Sequence, residues 1–112
     1  MARAVESPNL LDLRPRRLVQ HRLDGTLAVV LVPRFRARWM GWLQRRLKNP
    51  HIKLHLDELG TAVWIRCDGQ RTVGQIGEQL RAEFGEKIEP VWDRLALFLR
   101  RMRQGRLIEL GD

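Results

Sequence analysis

The helical half of the chain is set by two stretches, DELGTAVWIRCDGQRTVGQIGEQLRAEFG (residues 57–85) and PVWDRLALFLRRMRQG (residues 90–105). Apolar residues recur in both at every third or fourth position, which is the spacing of helices that pack one face on a core. Gly69, Gly85 and Gly105 follow the periodic runs, where glycine commonly ends a helix or forms a turn. The two stretches therefore predict three short consecutive helices.

Each predicted helix has its own start signal. Asp57 can cap the first helix, because its carboxylate can accept a free backbone N–H. Thr72 and Gln75 have the spacing of a capping box at the start of the second helix. Pro90 suits the first turn of the third. The apolar faces consist of Leu59, Ala62, Val63 and Trp64 in the first helix, Val73, Ile76, Leu80 and Phe84 in the second, and Val91, Leu95, Phe98, Leu99 and Met102 in the third.

The residues before the helices predict a small sheet. Asp24-Gly25 separates the β-favouring runs 18–23 and 27–32, and this dipeptide is a strong hairpin signal. The second run is continuously apolar, as in a buried central strand. Residues 51–56, HIKLHL, alternate in polarity and predict a half-buried third strand. Its apolar face would carry Ile52, Leu54 and Leu56, and its polar face His51, Lys53 and His55.

Length and composition restrict the class of protein. A chain of 112 residues makes one domain, whose core leaves little room for a deep active site. Cys67 is the single cysteine, so an intrachain disulfide cannot form. We find no signal peptide, and the longest apolar run, residues 27–33, is too short to cross a bilayer. These features predict a reducing, cytoplasmic setting without a transmembrane segment.

The net charge of +8 belongs to the N-terminal part of the chain. Residues 1–48 contain 11 lysines and arginines against 3 acidic residues, whereas residues 49–112 contain 10 of each. Residues 1–17, with two prolines, predict a loosely ordered basic arm, which leaves a single domain over residues 18–110. A protein that binds DNA through a recognition helix would be expected to carry its positive charge near that helix. The balanced charge of the helical half therefore argues against DNA binding.

Residues 34–50 form a segment rich in arginine and tryptophan. Its apolar residues have helical spacing, which suits an amphipathic cover on the sheet with a solvated basic face. The same composition suits a helix that docks on a partner enzyme, a helix at a membrane surface or a stacking platform for nucleic acid. The candidate partner-docking residues are Arg36, Arg38, Trp39, Trp42 and Arg45.

Catalytic and metal-binding patterns are missing from the sequence. It contains no Ser/His/Asp grouping, phosphate loop or Cys-x-x-Cys pair. His51 and His55 would lie on one face of a strand but about 13 Å apart, too far to bind one metal ion. We therefore expect no enzyme activity, no metal and no cofactor.

The motif Trp64-x-x-Cys67-Asp68-Gly69-x-x-Thr72-Val73-x-x-Ile76-x-x-x-Leu80, within the order strand–strand–strand–helix–helix–helix, resembles the PqqD family. These are small proteins of pyrroloquinoline-quinone (PQQ) biosynthesis, and their relatives are the RiPP recognition elements. The resemblance covers residues 18–110, with residues 34–50 as an insertion where family members have a short turn. It implies a winged-helix-like α+β fold, in which a three-stranded antiparallel sheet packs on three helices.

The resemblance also implies a function. Family members act as peptide chaperones without catalysis: they bind the leader of a precursor peptide and present it to a modifying enzyme, often a radical-SAM protein. The leader adds a strand to the free sheet edge beside the third helix. An edge strand offers unpaired N–H and C=O groups for such β-augmentation. Transferred to this chain, the peptide-binding residues are His51, Lys53, Leu54, His55, Arg94, Leu97, Phe98 and Arg101.

Two other functions fit parts of the sequence. A winged-helix nucleic-acid binder would use the net charge of +8, and its affinity would fall steeply with salt. An adaptor would use the Arg/Trp-rich segment to dock on an enzyme, and this role is compatible with peptide binding. A free edge strand also permits a homodimer by edge pairing.

Overall fold

Strands and helices divide into two small sheets and a helical layer in the computed structural model, which describes residues 9–33 and 51–112. Short 3-10 helices are present at Leu10–Asp12 and Gly85–Ile88. The strands are β1 (Arg14–Arg17), β2 (His21–Asp24), β3 (Leu27–Pro33), β4 (His51–His55) and β5 (Ile108–Gly111), and the helices are α1 (Glu58–Arg66), α2 (Val73–Phe84) and α3 (Val91–Gln104).

The larger sheet is antiparallel, with the strand order β2-β3-β4. Its central strand places Val30 opposite both His21 on β2 and Leu54 on β4. Gly25 turns the β2–β3 hairpin with a φ of 67°, a conformation that glycine adopts without strain. The predicted α+β fold of a three-stranded antiparallel sheet and three helices is confirmed.

The caps of the first two helices form as the sequence predicts. Asp57 Oδ1 accepts a hydrogen bond from the Gly60 N–H at 2.7 Å and caps α1. Thr72 Oγ1 accepts from the Gln75 N–H at 3.1 Å, while Gln75 Oε1 accepts from the Thr72 N–H at 2.8 Å. The capping box at the start of α2 is therefore complete. Pro90 lies one position earlier than predicted, since it is the extended N-cap of α3, which begins at Val91.

The core lies between the helices and one face of the larger sheet. Ala28 and Val30 of β3 are fully buried on that face. The helices contribute Trp64, Ile76 and Leu99, each with no exposed surface. α3 packs against α2 and β5, and α1 packs against α2 and β3. This packing leaves β4 at the margin of the core.

The prediction of a loosely ordered arm over residues 1–17 is wrong for residues 10–17. β1 pairs with β5 in a second, two-stranded antiparallel sheet, with Arg14 opposite Gly111 and Arg17 opposite Ile108. The arm's prolines do not prevent this, because a strand at a sheet edge tolerates proline. The Pro15 side chain is fully buried. Residues 1–8 lie outside the described part of the chain, so the prediction for them stands as a prediction.

The N-terminal strand also holds the turn between α1 and α2. The Arg17 N–H donates to Cys67 O at 3.1 Å, and the Gly69 N–H donates to Pro15 O at 2.8 Å. Arg17 Nη1 donates to the carbonyls of Trp64 and Ile65 at 3.0 and 2.7 Å, where the last turn of α1 lacks partners of its own. β1 therefore joins the two ends of the chain to the helical layer.

Candidate functional site

Within the described part of the chain β4 is an outer strand of the larger sheet, and its two apolar side chains are partly exposed. Ile52 and Leu54 lie opposite Val32 and Val30, which places them on the core-facing side of the sheet. Ile52 is nevertheless 51% exposed and Leu54 37% exposed, while Leu56 at the end of the strand is buried. The expected half-buried strand is therefore wrong for Ile52 and Leu54, because the helices cover the core-facing side only as far as Leu56.

The ladder fixes which backbone groups of β4 point outwards. The Leu56 N–H donates to Ala28 O at 3.0 Å, in continuation of the register that pairs Leu54 with Val30. Hydrogen-bonded pairs recur at every second residue of an antiparallel ladder, so Leu54 and Ile52 also direct their N–H and C=O groups towards β3. On the outward edge, the N–H and C=O groups that remain belong to His51, Lys53 and His55.

The direction of Leu31 supports this assignment independently. Leu31 lies opposite Lys53, yet its N–H donates to Gln20 O at 2.9 Å on the β2 side of the sheet. Leu31 and Lys53 consequently form a non-hydrogen-bonded pair. The backbone of Lys53 faces away from the sheet at the middle of β4.

A groove of about 340 Å³ opens beside α3. Four of the predicted peptide-binding residues line it, and they recur at helical spacing along one side of α3: Arg94, Leu97, Phe98 and Arg101. The rest of the lining is mostly apolar and comes from α1 with its N-cap, α2, the following 3-10 helix and further residues of α3: Asp57, Leu59, Gly60, Val63, Leu80, Ile88, Val91, Leu95 and Met102. The groove therefore presents an apolar floor with two arginines at its margin.

The groove begins where β4 ends. A methyl group at Gly60 would lie 3.4 Å from Phe98 Cε1 and 3.4 Å from Leu56 Cβ. Leu56, at the end of the edge strand, and Phe98, in the α3 wall of the groove, therefore both lie close to Gly60. The structure thus places the predicted residues in two sets, His51, Lys53, Leu54 and His55 on β4, and Arg94, Leu97, Phe98 and Arg101 in the groove, and Leu56 and Gly60 lie between the two.

The charged groups of the groove differ in the hydrogen bonds and ion pairs that they form. Asp57 Oδ1 is used in capping α1, and Arg94 Nη1 donates to Lys87 O at 2.9 Å. Arg101 forms no ion pair with another described residue. Leu97 is 44% exposed between the two arginines along the helix. The margin of the groove is therefore suited to a ligand that combines apolar and negatively charged groups.

The Trp64–Gly69 motif has a structural role. Burial raises the pKa of the Cys67 thiol to about 12, more than Arg17 lowers it, so this thiol stays protonated at neutral pH. Its Sγ donates to Val63 O at 3.3 Å. The Trp64 ring is in edge-to-face contact with His21, with centroids 6.1 Å apart. Burial, followed by the charge of Arg17, lowers the pKa of His21.

Asp68 and Gly69 form the turn that the sequence predicts. Asp68 Oδ1 accepts from the N–H groups of Gln70 and Arg71 at 2.8 and 3.0 Å, and Gly69 has a φ of 79°. Among residues 9–33 and 51–112, no group of three or more His, Cys, Asp or Glu side chains is arranged to hold a metal ion. No helix in the same ranges is long and apolar enough to cross a membrane.

Sequence reasoning missed two features of the site. Alternation along β4 correctly assigned the faces, but it predicted burial for Ile52, which is the most exposed apolar residue of the strand. Gly60, where α1 approaches Phe98, carried no signal beyond the helical pattern. The candidate docking residues Arg36, Arg38, Trp39, Trp42 and Arg45 lie outside the described residues.

Comparison with known proteins gives one family match. A family model described as coenzyme PQQ synthesis protein D (PqqD) matches residues 50–108, which is more than half of the chain. The matched region contains β4, the three helices and every residue that lines the groove. No curated protein and no solved structure matches the chain.

Proposed function

The chain belongs to the PqqD family, and from that premise we propose that it is a non-catalytic module that binds a precursor peptide as an added strand along β4. Family membership relates the chain to PQQ synthesis and to a peptide-binding accessory role. The proposal adds the place of binding and its purpose, which is to present the leader of the peptide to a modifying enzyme such as a radical-SAM protein.

The observation that carries the proposal is the open edge of β4. The N–H and C=O groups of His51, Lys53 and His55 point away from β3 and have no backbone partner among residues 9–33 and 51–112. An extended peptide satisfies them by β-augmentation, and its backbone then supplies affinity that depends little on sequence. The exposed Ile52 and Leu54 lie beside the same edge, so an added strand also buries apolar surface.

The groove supplies the selective part of binding. An apolar side chain of the peptide that enters it would contact Leu97 and Phe98, and carboxylates beside it would meet Arg94 and Arg101. Each exposed charge pair contributes only about 0.2–1 kcal/mol. Burial of one large apolar side chain contributes about 1.5–3 kcal/mol, so the apolar anchor dominates the affinity.

The test is a fluorescence-anisotropy titration with a labelled short peptide encoded beside the gene, at moderate salt, with labelled duplex DNA in a parallel cell. Lys53→Pro removes an outward N–H and places the proline ring where the added strand must approach, and we expect it to weaken peptide binding by at least about tenfold. The ladder to β3 stays intact, because the Lys53 N–H is not part of it.

Two further variants make the result interpretable. Lys53→Ala keeps the backbone donor and removes only the charge, so we expect a loss of less than about fivefold. Leu54→Pro removes an N–H directed at β3 and should destabilise the sheet itself, which circular dichroism would detect. Full peptide affinity in a folded Lys53→Pro variant would contradict strand addition, and salt-sensitive binding to DNA alone would favour a nucleic-acid-binding function.

The Arg/Trp-rich segment is proposed to serve the second step, contact with the modifying enzyme. Its arginines and tryptophans are residue types enriched at protein interfaces. Deletion of residues 34–48 should then abolish association with the enzyme and leave peptide binding unchanged. Pull-down with the enzyme encoded beside the gene measures the first effect, and anisotropy measures the second.

A further inference from the structure

The two faces of β4 differ in chemistry. Ile52 and Leu54 form an exposed apolar pair on the core-facing side, whereas Lys53 lies on the opposite, outer side between His51 and His55. Lys53 forms no ion pair with another described residue. Among the described residues of this sheet, Asp24 alone is acidic, and it lies on β2 at the far edge. The edge therefore has one apolar side and one positively charged side.

A strand added to β4 must match both sides at once. Its hydrogen bonds go to His51, Lys53 and His55, so the peptide residues opposite these three project on the outer face. The peptide residues between them project on the core-facing side, beside Ile52 and Leu54. Because side chains alternate along a strand, the two sets are every second residue of the peptide.

From this geometry we infer that the peptide segment bound along β4 alternates apolar and acidic residues, and that Lys53 is the residue that selects the acidic set. The inference rests on the proposed function and specifies its ligand. The apolar set covers Ile52 and Leu54, and the acidic set lies across from Lys53. A slip of one residue would place carboxylates on the apolar side, so the pattern also fixes the register.

Synthetic peptides test the alternation directly. The probes are a short capped peptide in which leucine and glutamate alternate, a peptide of the same composition with leucines and glutamates in two blocks, and an alternating leucine–lysine peptide. We expect the alternating acidic peptide to bind about twofold to fivefold more tightly than the blocked one, because only it can cover Ile52 and Leu54 and at the same time place glutamates across from Lys53. It should bind about threefold to tenfold more tightly than the leucine–lysine peptide.

Charge reversal at one position tests the role of Lys53. Lys53→Glu should reverse the preference, so that the leucine–lysine peptide becomes the tighter ligand. The matched control is Arg22→Glu: Arg22 is exposed on the same outer face but lies on β2, two strands away from the open edge. That variant makes the same change in net charge and should leave the preference for glutamate in place.

The outcomes separate this inference from the proposed function. Tighter binding of the alternating acidic peptide, reversed by Lys53→Glu and not by Arg22→Glu, supports the inference. Equal affinity for the alternating and blocked peptides overturns it, as does a preference that Lys53→Glu fails to change. If the precursor peptide still binds in those cases and Lys53→Pro still weakens it, strand addition stands without the alternation. If no peptide binds, the proposed function fails as well.

Discussion

Removal of residues 1–17 tests whether β1 is an integral part of the fold. Beyond the β1–β5 ladder and the exposed side-chain hydrogen bonds of Arg14 and Arg16, five hydrogen bonds would be lost, at about 1 kcal/mol of net stability each, or about 5 kcal/mol in total. A domain of this size has only about 5–15 kcal/mol of unfolding free energy. The lost bonds join Leu13 to Val73, Pro15 to Gly69, and Arg17 to Cys67, Trp64 and Ile65.

Thermal unfolding followed by circular dichroism measures this loss. We expect the midpoint of the truncated chain to fall by more than about 15 °C, because 1 kcal/mol shifts the midpoint of a small domain by about 4–8 °C. The control is a chain that lacks only residues 1–8, since it keeps all of these bonds. A cooperative transition within about 3 °C of the full chain after removal of residues 1–17 would refute the reasoning.

Two further predictions concern α2 and the turn before it. A methyl group at Gly77 would overlap the Trp92 ring, so Gly77→Ala should destabilise the fold by about 1–3 kcal/mol in urea titrations. With Trp92→Ala already present, Gly77→Ala should stabilise the fold instead, by the helix propensity of alanine. Asp68→Asn should cost about 0.2–1 kcal/mol at neutral pH through the lost ion pair with Arg71. Although burial raises the pKa of Asp68, hydrogen bonds from the N–H groups of Arg71 and Gln70 lower it overall. The stability that this carboxylate adds is therefore complete above its unfolded pKa and is lost as pH falls through the folded value, so the Asp68→Asn difference should shrink below about pH 4. A constant difference down to pH 2.5, or no stabilising effect of Gly77→Ala beside Trp92→Ala, would contradict these two accounts.

Features that depend on a few neighbouring residues were predictable from the sequence. The caps at Asp57 and at Thr72 with Gln75 are hydrogen bonds over three residues, which form whenever the adjoining helix forms. The faces of β4 were predictable for the same reason, because side chains alternate along any strand. These local rules assigned the two faces of β4, whereas the resemblance to the PqqD family singled out this strand and the α3 residues as the candidate site.

Contacts between distant residues were decided by the tertiary structure. The sequence predicts an arm where β1 lies, because the partner strand β5 is at the other end of the chain and nothing in four residues with three arginines indicates that pairing. The exposure of Ile52 and Leu54 could not be predicted from the sequence, because it also depends on contacts between distant residues. Alternation assigns a side chain to one face of a sheet, but burial depends on whether another element packs over that face. The sequence by itself determined the helices, their caps and the alternation of the edge strand, whereas only the packing of α1 and α3 decided which apolar side chains remain uncovered, because burial depends on the element packed opposite.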